Sequence, residues 1–287
     1  MTSAKNCFRK MSSWKRASRR PMGVALAGAA LLAALTLAAG CGSSSRASGT
    51  SGQTGSGQTL TVSAAISLKD VFTELGKAFE KAHPGVSVQF NFGASGDLES
   101  QIEGGAPVDV FAAASTKETG ELAQKGLIVA GSLIQPVGND LVLVVPSGSK
   151  THYGTFADLT AGSGKIAIGT PATVPAGRYA RDTLTHYGLW NALQPRLVYG
   201  ESVRQVLDYV ARGEVDAGLV YTTDARARAS EVRVALTAPA GSHAPVTYPM
   251  AVVSASSQRD LAAAFLAYLG SVDARPVFQK YGFTWLR

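Results

Sequence analysis

Beyond residue 58, short runs of aliphatic and β-branched residues alternate with stretches whose apolar positions recur every three or four residues. Residues 60–62, 86–90, 108–111, 141–145, 165–168, 196–199, 217–221 and 246–253 form the first class and read as strands. Leu68, Val71, Phe72, Leu75 and Phe79 repeat at helical spacing, as do Val203, Val206, Leu207 and Val210. Strand–helix alternation of this kind predicts an α/β fold, with mainly parallel sheets flanked by helices.

The way the helices begin carries chemical information. Ser67 precedes the first helix with Asp70 three residues on, an acidic version of a capping box. Ser95-Gly96 precedes the helix that holds Leu98 and Ile102, and Pro175-Ala176-Gly177 opens another. Ser202, with Gln205 three residues on, opens the helix that starts at Val203. In open α/β sheets ligands collect outside the carboxyl ends of the strands, where helix N-termini point. Those termini offer unpaired amides and the positive end of the helix dipole, which suit an anion. A serine in this position is also the ordinary cap, so convergence of the four starts is what would make them a site.

Composition changes the picture mainly at the N-terminus. The chain is 46% hydrophobic and 16% charged, ordinary for an α/β protein. A net charge of +7 would suggest nucleic acid, but seven of the 27 basic residues precede Cys41 and no acidic one does. Twenty basic residues then face 20 acidic ones, and a neutral body excludes a nucleic-acid role. The basic start, the apolar residues 22–39 and Leu37-Ala38-Ala39-Gly40-Cys41 describe a secretory signal over residues 1–40. The cysteine after those small residues resembles a lipobox, making Cys41 the lipidated residue and placing the body outside the cytoplasm on the membrane's outer face. An uncleaved membrane anchor is the alternative, since about 20 apolar residues span a bilayer. Residues 41–58 are almost wholly Gly, Ser, Thr and Gln, a flexible tether. Cys7 and Cys41 leave no pair for a disulfide in the body and no cluster for zinc or iron.

Several motifs, taken in order, resemble the molybdate-binding proteins of ABC importers. They are Ser63-Ala64-Ala65-Ile66-Ser67-Leu68, Phe92-Gly93-Ala94-Ser95-Gly96 with Gln101-Ile102, and Gly105-Ala106-Pro107-Val108-Asp109. Val174-Pro175-Ala176-Gly177-Arg178-Tyr179-Ala180, Gly218-Leu219-Val220-Tyr221 and Tyr281-Gly282-Phe283 complete the set, which runs over residues 59–283. The resemblance implies a two-lobed, type II periplasmic-binding-protein fold with the ligand in a cleft between lobes. Residues 59–140 with 247–287 would form one lobe and 141–246 the other. It also implies a ligand shell of Ser67, Ser95, Ala176, Val203 and Tyr221, with both serines offering hydroxyl and amide, Ala176 and Val203 amides, and Tyr221 its phenol. A shell made only of donors suits a fully deprotonated tetrahedral dianion, molybdate or tungstate, and excludes an oxyanion whose O–H needs an acceptor. The implied partners are an importer's permease and ATPase and the membrane, with the protein a monomer that needs no cofactor and no direct metal ligands.

Two departures bear on the shell. Ile66 stands where the family carries a small residue, and Lys69 and Asp97 fall in the first turns of the serine-bearing helices. An Asp97 turned inward could accept a phosphate proton and reverse the selectivity. Other readings are a binder of another oxyanion such as sulfate, or an extracytoplasmic enzyme acting on an anionic substrate. His83, His152, His186 and His243 are scattered, with no nucleophile elbow or metal-ligand spacing near them, so the enzyme reading has no residues to carry it.

Overall fold

A computed structural model describes residues 57–286. The expected signal segment, Cys41 and nearly all of the tether lie outside the described residues.

The chain enters on β1 (Gln58–Ala65), whose second half is buried, and turns through a 3-10 turn (Ile66–Leu68) into α1 (Lys69–Ala82). That helix buries Val71, Phe72, Leu75 and Phe79, the stripe expected from the spacing. Phe72 meets Phe265 edge-on at 6.3 Å and Phe278 at 6.4 Å, closing this face of the core. β2 (Val86–Gly93), α2 (Ser95–Glu103), β3 (Val110–Ala112), α3 (Thr116–Gln124) and β4 (Val137–Asn139) follow. The next stretch holds β5 (Leu141–Pro146), β6 (Ile166–Gly169), α4 (Pro175–His186), α5 (Trp190–Leu193), β7 (Leu197–Gly200) and α6 (Val203–Ala211). It continues through β8 (Ala217–Tyr221), α7 (Thr222–Ala227) and β9 (Val232–Thr237). The return consists of β10 (Val246–Thr247), β11 (Met250–Val252), α8 (Arg259–Leu269), α9 (Arg275–Lys280) and β12 (Thr284–Trp285).

Two helix-flanked sheets result. The first has the order β11-β3-β1-β2, the second β7-β6-β8-β5-β9, and a small third sheet, β10-β4-β12, sits where the chain passes between them. In the first sheet β1 runs parallel to β2 and β3, and β11 is antiparallel. The second sheet is more mixed than the expected mainly parallel arrangement: β6 is parallel to β7 and β8, whereas β5 is antiparallel to β8 and β9. Connectivity explains the exceptions. A strand that has just crossed from one sheet to the other starts at their junction and must run away from it, and β5 and β11 are such strands.

Residues 246–253, expected as one strand, are two in different sheets. The break falls at Tyr248-Pro249, where proline supplies no N–H for a ladder and the chain changes partners. The Tyr248 amide still bonds Val137 O at 3.0 Å, and Met250 N bonds Ile134 O at 2.9 Å.

Candidate functional site

The carboxyl ends of β1, β2, β6, β7 and β8 face one another across the junction of the two sheets, and each leads within a few residues to a candidate ligand position. Ser67 lies in the 3-10 turn after β1, and Ser95 is the first residue of α2. Ala176 is the second residue of α4, Val203 the first of α6 and Tyr221 the last of β8. All five line one cavity, which leaves only about 10 Å³ for the centre of a water-sized molecule. Sites for drug-sized ligands usually occupy about 300–1,000 Å³, so only a small solute fits this one. The rest of its wall is apolar, with Ile66, Val174 and Pro175 among the contributors, and no charged side chain lines it. Asp97 and Lys69 are exposed and lie outside the lining. Ile66 does reach the cavity, so that departure alters the wall and not the donor set.

The two serines do not cap helices, contrary to the plain reading of their positions. Ser67 sits within the 3-10 turn, so α1 starts two residues later with Leu68 at its N-cap and no side-chain cap. The Ser67 hydroxyl instead lies 3.0 Å from the Tyr248 hydroxyl. Ser95 is already helical, and its Oγ accepts the amide of Ala114 at 3.0 Å. Among the described residues Ser95 makes no donor bond, so its O–H is available to the cavity. Ser202, which is not in the lining, caps as expected by accepting the Gln205 amide at 3.2 Å.

Ser95, Ala176 and Val203 occupy first-turn positions, whose amides have no acceptor within their own helices. Tyr221 adds a sharper observation. Its side chain is buried, and its hydroxyl is one of three buried side-chain polar atoms without a partner among the described residues. Burial pushes the phenol well above its ordinary range, so it stays an O–H donor. A buried donor with no acceptor is unfavourable on its own.

Charged groups stand one layer back, in pairs. Arg178 on α4 bonds the buried carboxylate of Glu118 on α3, and its Nη2 donates to Ser115 Oγ at 3.0 Å. Arg204 on α6 reaches Asp70 on α1 at 2.6 Å and the buried Asp224 on α7 at 2.6 Å. Burial raises the Asp224 pKa despite the opposing Arg204 guanidinium. Backbones also meet: the Gly96 amide bonds Thr173 O at 2.9 Å, and a Cβ on Gly96 would lie 2.8 Å from Thr173 Cα. Only glycine permits that approach. Of these residues, the sequence singles out Arg178 and Gly96 as motif members and Asp70 as a capping acid, and gives no sign of Arg204, Asp224 or Glu118.

The histidines stay apart from the cavity. His83 stacks on Phe79 at 4.0 Å and bonds its carbonyl, His243 bonds Ala244 O at 2.7 Å, and His152 and His186 are exposed. Among the described residues no group of three or more His, Cys, Asp or Glu side chains could hold a metal ion.

Residues 60–284 match the family described as bacterial extracellular solute-binding protein. A Bacillus subtilis relative, provisionally named as the ABC transporter substrate-binding lipoprotein YvgL, is 42% identical over 89% of this chain and 96% of its own. The molybdate-binding protein ModA of Haemophilus influenzae is 38% identical over 78% of this chain and 89% of its own. Among solved structures, the periplasmic molybdate-binding protein of Azotobacter vinelandii superposes with a TM-score of 0.70 at 27% identity, covering 79% of this chain and 100% of that one. The fold is therefore the type II periplasmic-binding-protein fold expected from the motifs.

Proposed function

This chain belongs to the family of bacterial extracellular solute-binding proteins, and from that premise we propose that its cavity captures molybdate, and tungstate as well, for delivery to the permease and ATPase of an ABC importer. The observation that carries the reading is the convergence of donors, with a buried, unpartnered Tyr221 hydroxyl among them, on a small cavity without a carboxylate. Ser67 and Ser95 supply hydroxyls, and Ala176 and Val203 supply amides. A buried dianion without partners would be strongly disfavoured, whereas hydrogen bonds to a charged group return about 1.5–3 kcal/mol each. The shell carries no carboxylate, so the O–H of hydrogen phosphate finds no strong acceptor there. Titration calorimetry with molybdate, tungstate, sulfate and phosphate tests this. The first two should bind tightly, and molybdate at a thousandfold excess over Kd should stabilise the protein by about 4 kcal/mol. Phosphate binding as strong as molybdate binding would overturn the assignment.

The donors come from both halves of the chain, so in this reading residues 59–140 with 247–287 and residues 141–246 act as two lobes closing on the anion. The Gly96–Thr173 contact and the Arg178–Glu118 and Arg204–Asp70 pairs then belong to the closed form. Gly96→Ala should hold the lobes apart, because its Cβ would meet Thr173 backbone atoms at 2.8 and 2.9 Å. Molybdate should reduce the radius of gyration of the wild type, and Gly96→Ala should abolish that change and weaken binding by roughly tenfold or more. Wild-type compaction and affinity in the variant would remove the closing mechanism.

The signal segment, the Cys41 lipid anchor and action as a monomer on the outer face of the membrane complete the proposal; the provisional lipoprotein name of the Bacillus relative supports the anchor. Cys41→Ala should abolish incorporation of labelled fatty acid, and labelling equal to wild type would contradict the anchor.

A further inference from the structure

Behind Ser67 lies a chain of buried polar groups that the ligand shell does not include, and we infer that Asn139 and Tyr248 are positioning residues that set the proton direction of the Ser67 hydroxyl and thereby the selectivity of the site. The inference rests on the molybdate reading above. Its direction follows from counting donors and acceptors. Asn139 Oδ1 accepts the Asp140 amide at 3.0 Å, which fixes the orientation of the side-chain amide. Asn139 Nδ2 therefore donates twice, to Thr223 Oγ1 at 2.9 Å and to Tyr248 Oη at 3.1 Å. Tyr248 is fully buried, and its hydroxyl has one other partner, Ser67 Oγ at 3.0 Å.

Since Asn139 supplies a hydrogen to Tyr248, the tyrosine's own hydrogen must go to Ser67. The opposite arrangement, with Ser67 donating, would leave a buried phenol O–H with no acceptor. Ser67 thus receives a hydrogen on the side away from the ligand, and its own O–H has the cavity as its remaining partner. Burial also pushes the Tyr248 phenol far above its ordinary range, which keeps it a donor. Ser95, whose Oγ accepts the Ala114 amide, is held as a donor in the same sense. Both hydroxyls, each able in isolation to donate or accept, are committed to donation by protein groups behind them. The Ser67 chain also ties the cavity to the passage between the sheets, because Asn139 ends β4 and Tyr248 directly follows β10.

The test is calorimetry on the full chain with molybdate and with inorganic phosphate near neutral pH, where phosphate carries an O–H. Asn139→Asp reverses the relay: its carboxylate takes the Tyr248 hydrogen, Tyr248 then accepts from Ser67, and Ser67 is left to accept from the ligand. The molybdate-to-phosphate affinity ratio should fall by about tenfold or more, with molybdate itself weakened several-fold. Tyr221→Phe, which removes a donor without freeing an acceptor, should weaken both anions in parallel and leave the ratio unchanged. Tyr248→Phe keeps the ring that packs against Phe283 at 5.3 Å and Tyr221 at 6.2 Å but offers the Ser67 hydrogen no acceptor. Its Ser67 O–H still turns to the cavity, and the ratio should stay near the wild-type value. A wild type that ignores molybdate would overturn the molybdate reading itself. Wild-type binding together with an Asn139→Asp ratio within about twofold of wild type, or a Tyr248→Phe ratio that falls by about tenfold, would overturn the relay alone.

Discussion

Tyr221→Phe is expected to bind molybdate about ten- to a hundredfold more weakly than wild type, and yet to melt close to the wild-type temperature when no ligand is present. The Tyr221 hydroxyl is buried and makes no hydrogen bond within the described protein. With the lobes apart and no ligand it faces a hydrated cleft, so removing it costs the fold little. In the complex the same hydroxyl would donate to a dianion, and phenylalanine forfeits that bond. For a domain of this size, 1 kcal/mol corresponds to about 2–4 °C, so a loss of packing at this position would be plain by calorimetry. A residue important only for packing would lose stability on substitution and leave affinity alone; that pattern would remove Tyr221 from the site.

Val203→Pro should cause a comparable loss of affinity through the backbone. Val203 is the first residue of α6, a position where proline is well tolerated because its amide has no partner in the helix. Ser202 before it is extended, with φ −153° and ψ 163°, which a following proline also accepts, and its cap to Gln205 is untouched. The substitution thus deletes one amide hydrogen of the proposed shell and preserves the helix. Affinity for molybdate should drop by roughly ten- to a hundredfold. Val203→Ala, which trims the side chain and keeps the amide, should stay within about threefold of wild type. Equal affinities in the two variants would show that the Val203 amide does not face the anion.

Much of this architecture was legible in the sequence because it depends on local pattern. The stripe from Leu68 to Phe79, the helix starts at Ser95, Ala176 and Val203 and the strand ending at Tyr221 each follow from residues close together in the chain. Their gathering around one cavity was not a matter of spacing; it followed from resemblance, and the sheet topology supplies the physical reason. What stayed hidden depends on partners far apart. The Asn139–Tyr248 bond spans 109 positions and the Ser67–Tyr248 bond 181, and no periodicity encodes such pairs. Capping was expected at Ser67 because serine with an acid three residues on has that meaning in most chains. The 3-10 turn shifts the helix start by two residues and turns the hydroxyl to another use. The apolar stretch through Tyr248-Pro249 looked continuous because alternation says nothing of which sheet a strand joins.

The central claim is that one dianion sits among Ser67, Ser95, Ala176, Val203 and Tyr221. Crystals grown with molybdate, with diffraction recorded at the molybdenum absorption edge, test it most directly. The account predicts one strong anomalous peak in this cavity, with oxyanion oxygens about 2.7–3.2 Å from the Ser67, Ser95 and Tyr221 hydroxyls and from the Ala176 and Val203 amides. An anomalous peak elsewhere in the protein, with this cavity empty, would contradict it.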